Sequence, residues 1–363
     1  MLHNIAILTG GGDAPGLNAV IRAAVKTAKV QYGAHILGIP DGYDGLVNGS
    51  DPWELDLPEV AGLLYRGGTI LGTSNRGDPF NYPVEQPDGT VIKEDKSEIL
   101  IERLKELRVD ALIVIGGDGS LTIANELFKR GTNVIGVPKT IDNDLSATEV
   151  TFGFDTAITT ATEALDKLHT TAESHHRAMV LELMGRDAGW IALESGIAGG
   201  ADVILIPEIP FKWSSVMKRI DDRRKKGRKF SIIVVAEGAF PEGGGQVVQQ
   251  TADETHGLAR FGGIGHAVGL EIAKQLKMET RVTVLGHIQR GGKPSTFDRL
   301  LATRLGVEAV NMVVRGEFGH MVALRGGKVI PVPLEEAVGN QKLVDPNGQM
   351  VMVAESIGIS VGR

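Results

Sequence analysis

The feature that most limits what this chain can fold into is a repeated unit. A short run of branched apolar residues stops at glycine or proline and then leads into a helix-like stretch. Residues 5–8 precede Gly10-Gly11-Gly12, residues 111–115 precede Gly116-Gly117, residues 134–137 precede Pro138, and residues 232–236 precede Glu237-Gly238. Between such runs lie patterns of helical period, as in residues 98–107, where Ile99, Leu100, Arg103 and Leu107 share a face, and in residues 156–168. This alternation predicts a doubly wound α/β protein with mostly parallel sheets. In such sheets ligands sit beyond the carboxyl ends of the strands, so the glycine-ended loops are where chemistry belongs.

With 363 residues, 42% of them apolar, two packed lobes are expected rather than one core. The net charge of −7 offers no overall positive field for nucleic acid, so phosphate has to be held by local geometry. Cysteine is absent, which excludes disulfides and thiolate-bound metals. The start, Met1-Leu2-His3-Asn4-Ile5, lacks the pattern of a signal peptide, and no apolar run is long enough to span a bilayer. A cytoplasmic protein without nucleic-acid or membrane partners is the expectation.

Three loops carry the chemistry. Gly10-Gly11-Gly12-Asp13-Ala14-Pro15-Gly16 joins a strand to a helix, and its bare backbone amides suit phosphate oxygens. It is neither a P-loop nor a clean dinucleotide fingerprint. Gly116-Gly117-Asp118-Gly119-Ser120 repeats the device with a carboxylate. Beside phosphates that carboxylate makes sense as a magnesium partner, or else Asp118 caps a helix beginning near Leu121. The sharpest signal is Pro138-Lys139-Thr140-Ile141-Asp142-Asn143-Asp144. Two carboxylates one residue apart can divide proton abstraction and metal binding, and spacing alone does not say which does which. Asx-rich turns are the competing explanation. Weaker candidates are Met184-Gly185-Arg186, Pro207-Glu208 and the segment Leu285-Gly286-His287-Ile288-Gln289-Arg290-Gly291-Gly292. Arginine suits phosphate through its two-pronged fork, although Arg177, Arg281 and Arg290 fit surface ion pairs equally well. The run from Asp221 to Lys226 before Gly227 reads as a solvated helix end. Beyond about residue 321 there are strand-like stretches and no chemical motif.

Taken in order, these segments resemble the phosphofructokinase family over roughly residues 3–320. The resemblance implies two Rossmann-like αβα lobes with the active site in the cleft between them. Residues 1–152 with 289–339 would hold the phosphoryl donor, and residues 153–288 with 340–363 the sugar phosphate. It implies transfer of a terminal phosphoryl from ATP or pyrophosphate to the 1-hydroxyl of fructose 6-phosphate, with Mg2+ as cofactor. Asp142 then corresponds to the base, with Thr140 and Arg186 beside it as catalytic residues. Gly11, Arg76, Asp118, Gly119, Ser120 and Lys139 correspond to the donor site. Thr140, Asp142, Asp144, Arg177, Met184, Gly185, Arg186, Glu208, Arg281, His287 and Arg290 correspond to the sugar-phosphate site. Asp118 and Asp144 correspond to the magnesium carboxylates. Arg177 and Arg281 are implied to reach a neighbouring subunit's site in a homotetramer or homodimer.

Donor choice stays divided at this level. A small residue at Gly119 leaves space for a nucleotide's α-phosphate, where pyrophosphate users carry aspartate. Lys139 stands where pyrophosphate users have lysine. ATP is the favoured donor and pyrophosphate the alternative, with a non-catalytic sugar-phosphate or nucleotide sensor as a third reading.

Overall fold

A computed structural model describes residues 4–75, 77–250 and 260–363. In chain order the strands are β1 (Asn4–Thr9), β2 (His35–Gly38), β3 (Trp53–Leu55), β4 (Tyr82–Glu85), β5 (Val91–Glu94), β6 (Ala111–Gly116), β7 (Val134–Pro138), β8 (Ala178–Leu183), β9 (Val203–Leu205), β10 (Ser231–Ala236), β11 (Val248–Gln250), β12 (Arg260–Phe261), β13 (Thr280–Val284), β14 (His320–Arg325) and β15 (Lys328–Pro333). Two sheets dominate. One runs β15-β14-β7-β6-β1-β2-β3, and the other runs β13-β8-β10-β9; the remaining four strands form two short hairpin ribbons. The larger sheet is parallel from β14 through β2 and antiparallel only at its two edges. The smaller sheet is parallel throughout.

The period of two along each strand explains why helices cover both faces. Ile5 and Ile7 pack into one core with the helices Leu17–Thr27 and Thr296–Arg315. Ala6 and Leu8 point the other way, toward Leu100, Leu121 and Leu127 of the helices Ser97–Glu106 and Asp118–Lys129. Ile113 and Ile115 against Leu112 and Val114 repeat the division on β6. The smaller sheet does the same, with Met179, Leu181 and Leu183 on one face and Ala178 and Val180 on the other. Each fully buried Leu or Ile of this kind contributes about 1.5–3 kcal/mol relative to exposure. Truncating Ile113, which has no exposed surface, to alanine should cost about 2–5 kcal/mol. Both sheets are thus αβα sandwiches, as the alternation of apolar runs predicts.

The predicted strands all form, and the helix expected over 98–107 spans Ser97–Glu106. The expected 156–168 helix is longer, Phe154–His175. The acidic-basic run ends the helix Trp213–Lys225, with Gly227 in the left-handed region. The chain beyond residue 321 departs from its plain sequence. It completes β14 and adds β15, then crosses from one sheet to the other through residues 339–344. Among the described residues no helix is long and apolar enough to cross a membrane.

Candidate active site

The ladder of the larger sheet sets the site. β7, β6 and β1 are consecutive neighbours, so their carboxyl ends lie side by side at strand spacings of about 4.8 Å. Ladder bonds continue past the strands, from the Gly10 N–H to the Ile115 carbonyl at 2.9 Å and from the Lys139 N–H to the Gly116 carbonyl at 2.9 Å. The three loops that the sequence singled out therefore emerge as one row.

On β1 the first loop is braced from outside. The Gly11 N–H donates to the Ser74 carbonyl at 3.1 Å, and the Thr73 hydroxyl donates to the Gly11 carbonyl at 2.6 Å. Arg290 lies on this loop, its Nη1 donating to the Asp13 carbonyl at 3.1 Å. A Cβ at Gly12 would stand 2.8 Å from that same nitrogen, so any larger residue would displace the guanidinium. The Lys139 side chain is buried and its ammonium donates to the Gly12 carbonyl. Burial first, and then Arg290, lower its pKa to about 8, against the opposing pull of Asp142, Asp13 and Asp144.

The second loop corrects one expectation. The helix begins at Asp118 with Gly117 as its cap residue, so Asp118 is not a cap for a helix at Leu121. Its Oδ1 instead accepts from the Gly339 N–H at 3.1 Å. Gly119 is exposed, and a Cβ added there would meet nothing within 4 Å. Ser120 is the opposite case. Cβ atoms at Gly10 and Gly116 would lie 2.5 Å from its Oγ and 2.3 Å from its Cβ, so the buried serine fills the gap between the two strand ends.

The third loop is buried and cross-tied. The Asp142 N–H donates to the Thr140 hydroxyl at 3.0 Å, and the Thr151 hydroxyl donates to the Thr140 carbonyl at 2.8 Å. Asp142 is only 5% exposed, and its Oδ1 has no hydrogen-bond partner. Burial, then the neighbouring Asp144 carboxylate, push its carboxyl up to about 6, while Arg290, Arg186 and Lys139 pull the other way. Burial also raises Asp144, and the Asp118 charge adds to the rise against the lowering hydrogen bond from Thr140. Among the described residues no group of three or more histidines and acids is placed to hold a metal alone. Magnesium is often held by one or two carboxylates while phosphate oxygens and water complete its shell, and Asp118 is near enough to Asp144 for its charge to act on that carboxyl.

The second sheet faces this row with Arg186, which follows β8 in the left-handed region at φ 53°. Its N–H donates to Glu237 Oε1 at 3.2 Å. Burial raises the Glu237 carboxyl to about 7, with Asp142 adding to the rise and the Arg186 N–H opposing it. Sequence reasoning did not single out Glu237, whose only signal is its place directly after the buried run at 232–236. Met184 is buried in the core beside Gly185. Glu208 braces the second lobe, its Oε1 accepting from the Gly189 and Val344 N–H groups, both at 2.9 Å. His287 lies exposed on the turn Gly286–Arg290. Arg177 and Arg281 do not join the cleft in this chain. They stand at the amino ends of β8 and β13, where both pair with Glu279, the far end of the sheet from Arg186. Arg76 lies outside the described residues.

A family model described as phosphofructokinase matches residues 4–313, a stretch that contains both glycine-lined loops and the paired-aspartate loop. The chain belongs to the phosphofructokinase family. An ATP-dependent 6-phosphofructokinase 2 of Clostridium perfringens is 56% identical over 360 residues, covering 99% of this chain and 98% of the relative. A Streptomyces coelicolor relative called pyrophosphate–fructose 6-phosphate 1-phosphotransferase is 49% identical over 359 residues, covering 99% of each. Phosphofructokinases named for different donors thus stand at similar distances, and donor choice has to be argued from local geometry. Pichia pastoris phosphofructokinase in the T-state superposes with a TM-score of 0.78 at 34% identity. That match covers 98% of this chain and 36% of the Pichia chain, so this chain spans about a third of the larger protein.

Proposed function

We infer that this phosphofructokinase transfers the terminal phosphoryl of ATP to the 1-hydroxyl of fructose 6-phosphate, with Asp142 as the base. The observation that carries the reading is the unpartnered, buried Asp142 Oδ1 in the loop after β7, one strand away from the open space at Gly119 in the helix start after β6. The sugar hydroxyl gives its proton to that oxygen as its own oxygen bonds to the terminal phosphorus. The bond from phosphorus to the bridging oxygen breaks, and ADP leaves. Little covalent help is needed; alignment and neutralisation of spread charge do most of the catalysis. Arg186 and Arg290, both close enough to influence the Asp142 carboxyl, supply cations to the transferring group. Asp118 and Asp144 would hold Mg2+, which supplies charge neutralisation at the donor phosphates when bound.

Gly119 supports ATP because a nucleotide needs room beyond its β-phosphate, and a Cβ there meets nothing. Lys139 favours the second reading, pyrophosphate, since its ammonium sits against the first loop at Gly12. A coupled assay on purified protein tests the choice: turnover with ATP should exceed turnover with pyrophosphate clearly, and the reverse order would overturn the donor assignment.

Arg177 and Arg281 are read as completing a neighbouring subunit's sugar-phosphate site in a homo-oligomer. Two features support this. Both arginines lie far from their own chain's Arg186, and Val284, Ile288, Phe297 and Leu300 leave large apolar side chains 45–66% exposed within one short stretch. Sedimentation of the purified chain as a monomer at assay concentration, with full activity, would refute it.

A further inference from the structure

The segment 339–344 lies outside the region matched by the family model, yet it touches Asp118, Asp144 and Glu208. The Gly339 N–H reaches Asp118, the Lys342 N–H donates to the Asp144 carbonyl at 2.8 Å, and the Val344 N–H reaches Glu208 in the other lobe. Leu145 and Gln341 form an antiparallel bridge. Trp190, from the second lobe, donates its indole N–H to the Lys342 carbonyl at 2.7 Å, and its ring lies 6.0 Å from the ammonium. The strap is therefore fixed on both sides.

The Lys342 ammonium has three donors, and three oxygens accept them. They are Asn143 Oδ1 at 2.8 Å, the Glu149 carbonyl at 2.9 Å and the Thr148 carbonyl at 3.2 Å. No proton is left to offer a ligand. Asn143, between the two aspartates, is 5% exposed and held at φ 53°, a left-handed conformation that asparagine tolerates better than most residues. Its Oδ1 also accepts from the Thr151 N–H at 3.3 Å, so the same amide oxygen closes the loop at both ends.

We propose that Lys342 is a positioning residue: by gripping Asn143 and the 148–149 carbonyls it fixes the geometry of Asp142 and Asp144. This rests on the reading of Asp142 as base. The mechanism is indirect, because without Lys342 the oxygens of the buried residues Asn143 and Thr148 and that of the exposed Glu149 lose a donor, and the loop has to shift to find water for the first two.

The test compares Lys342→Met with the parent enzyme by amide hydrogen exchange over residues 140–151, without substrates, and by steady-state kinetics. Expected are about tenfold faster exchange in that loop and a kcat lower by about 10- to 100-fold, the scale of an ångström-level misplacement. KM for both substrates should stay within about twofold. Asn143→Ala should lose a similar factor, and the double variant should be no worse than the weaker single variant. Unchanged exchange, a rise in KM alone, or losses that multiply would each overturn the proposal. A loop that loosens while kcat holds also overturns it; if Asp142→Asn then proves active as well, the base assignment is at fault, and if inactive, only the role of Lys342 is. Should Lys342→Met fail to fold, Lys342→Gln keeps two of the donors and is read by the same criteria.

Discussion

The loops that follow β6 and β7 leave neighbouring strands of one sheet and share a boundary, yet they are built oppositely. After β6, Gly119 is exposed with open space where a side chain would be, and only the serine behind it is packed. After β7, residues 139–143 are all buried, and the loop is tied by Thr140, Thr151 and Lys342. One loop works by what it leaves out, the other by what it fixes. Phosphoryl transfer explains the division: a long flexible donor needs room, whereas the acceptor's proton needs a carboxylate held at one place.

Several experiments can break or sharpen that contrast. Chelating Mg2+ removes the charge that Asp118 and Asp144 are proposed to share across the two loops; activity should vanish and return on adding magnesium, while circular dichroism stays unchanged. Asp142→Asn keeps the shape of the fixed loop but deletes the base. Its kcat should fall by about 10² to 10⁴ with little change in sugar affinity, and a large KM effect at normal kcat would contradict the assignment. Gly119→Asp fills the open loop with negative charge. ATP use should drop on the order of 100-fold in kcat/KM and pyrophosphate use far less, measured side by side. Lys139→Met should weaken use of both donors by about tenfold, because a single buried cation near phosphates acts on charge rather than on shape. Smallest of all, Glu279→Gln should shift the thermal unfolding midpoint by no more than a few degrees, since that acid and its Arg281 partner are about half exposed and only the Arg177 Nε is buried. A shift in fructose 6-phosphate affinity with that variant would support arginines that serve a neighbour.

Much of the contrast is legible along the chain. Asp142 and Asp144 stand out because carboxylates cluster directly after a buried run, and Gly119 because it belongs to a glycine-rich stretch where a strand passes into a helix. Glu237 obeys the same rule after residues 232–236 and was passed over, since a single carboxylate at a strand end gives no spacing to notice. Ser120 reads as a phosphate contact by its position, but its surroundings show it packed between Gly10 and Gly116, a fact that depends on the neighbouring strand β1.

The local pattern of branched apolar runs and glycine stops determined the α/β class, the strands and the loops that carry the chemistry, because strand burial and turn geometry are decided by a few adjacent residues. Tertiary structure alone decided which loops became neighbours, that Arg177 and Arg281 stand at the far end of their sheet, and that Lys342 reaches the acid loop from about 200 positions away. Strand order and the return of the tail are set by burial and hydrogen bonding between segments distant in sequence, and no window of neighbouring residues contains that information.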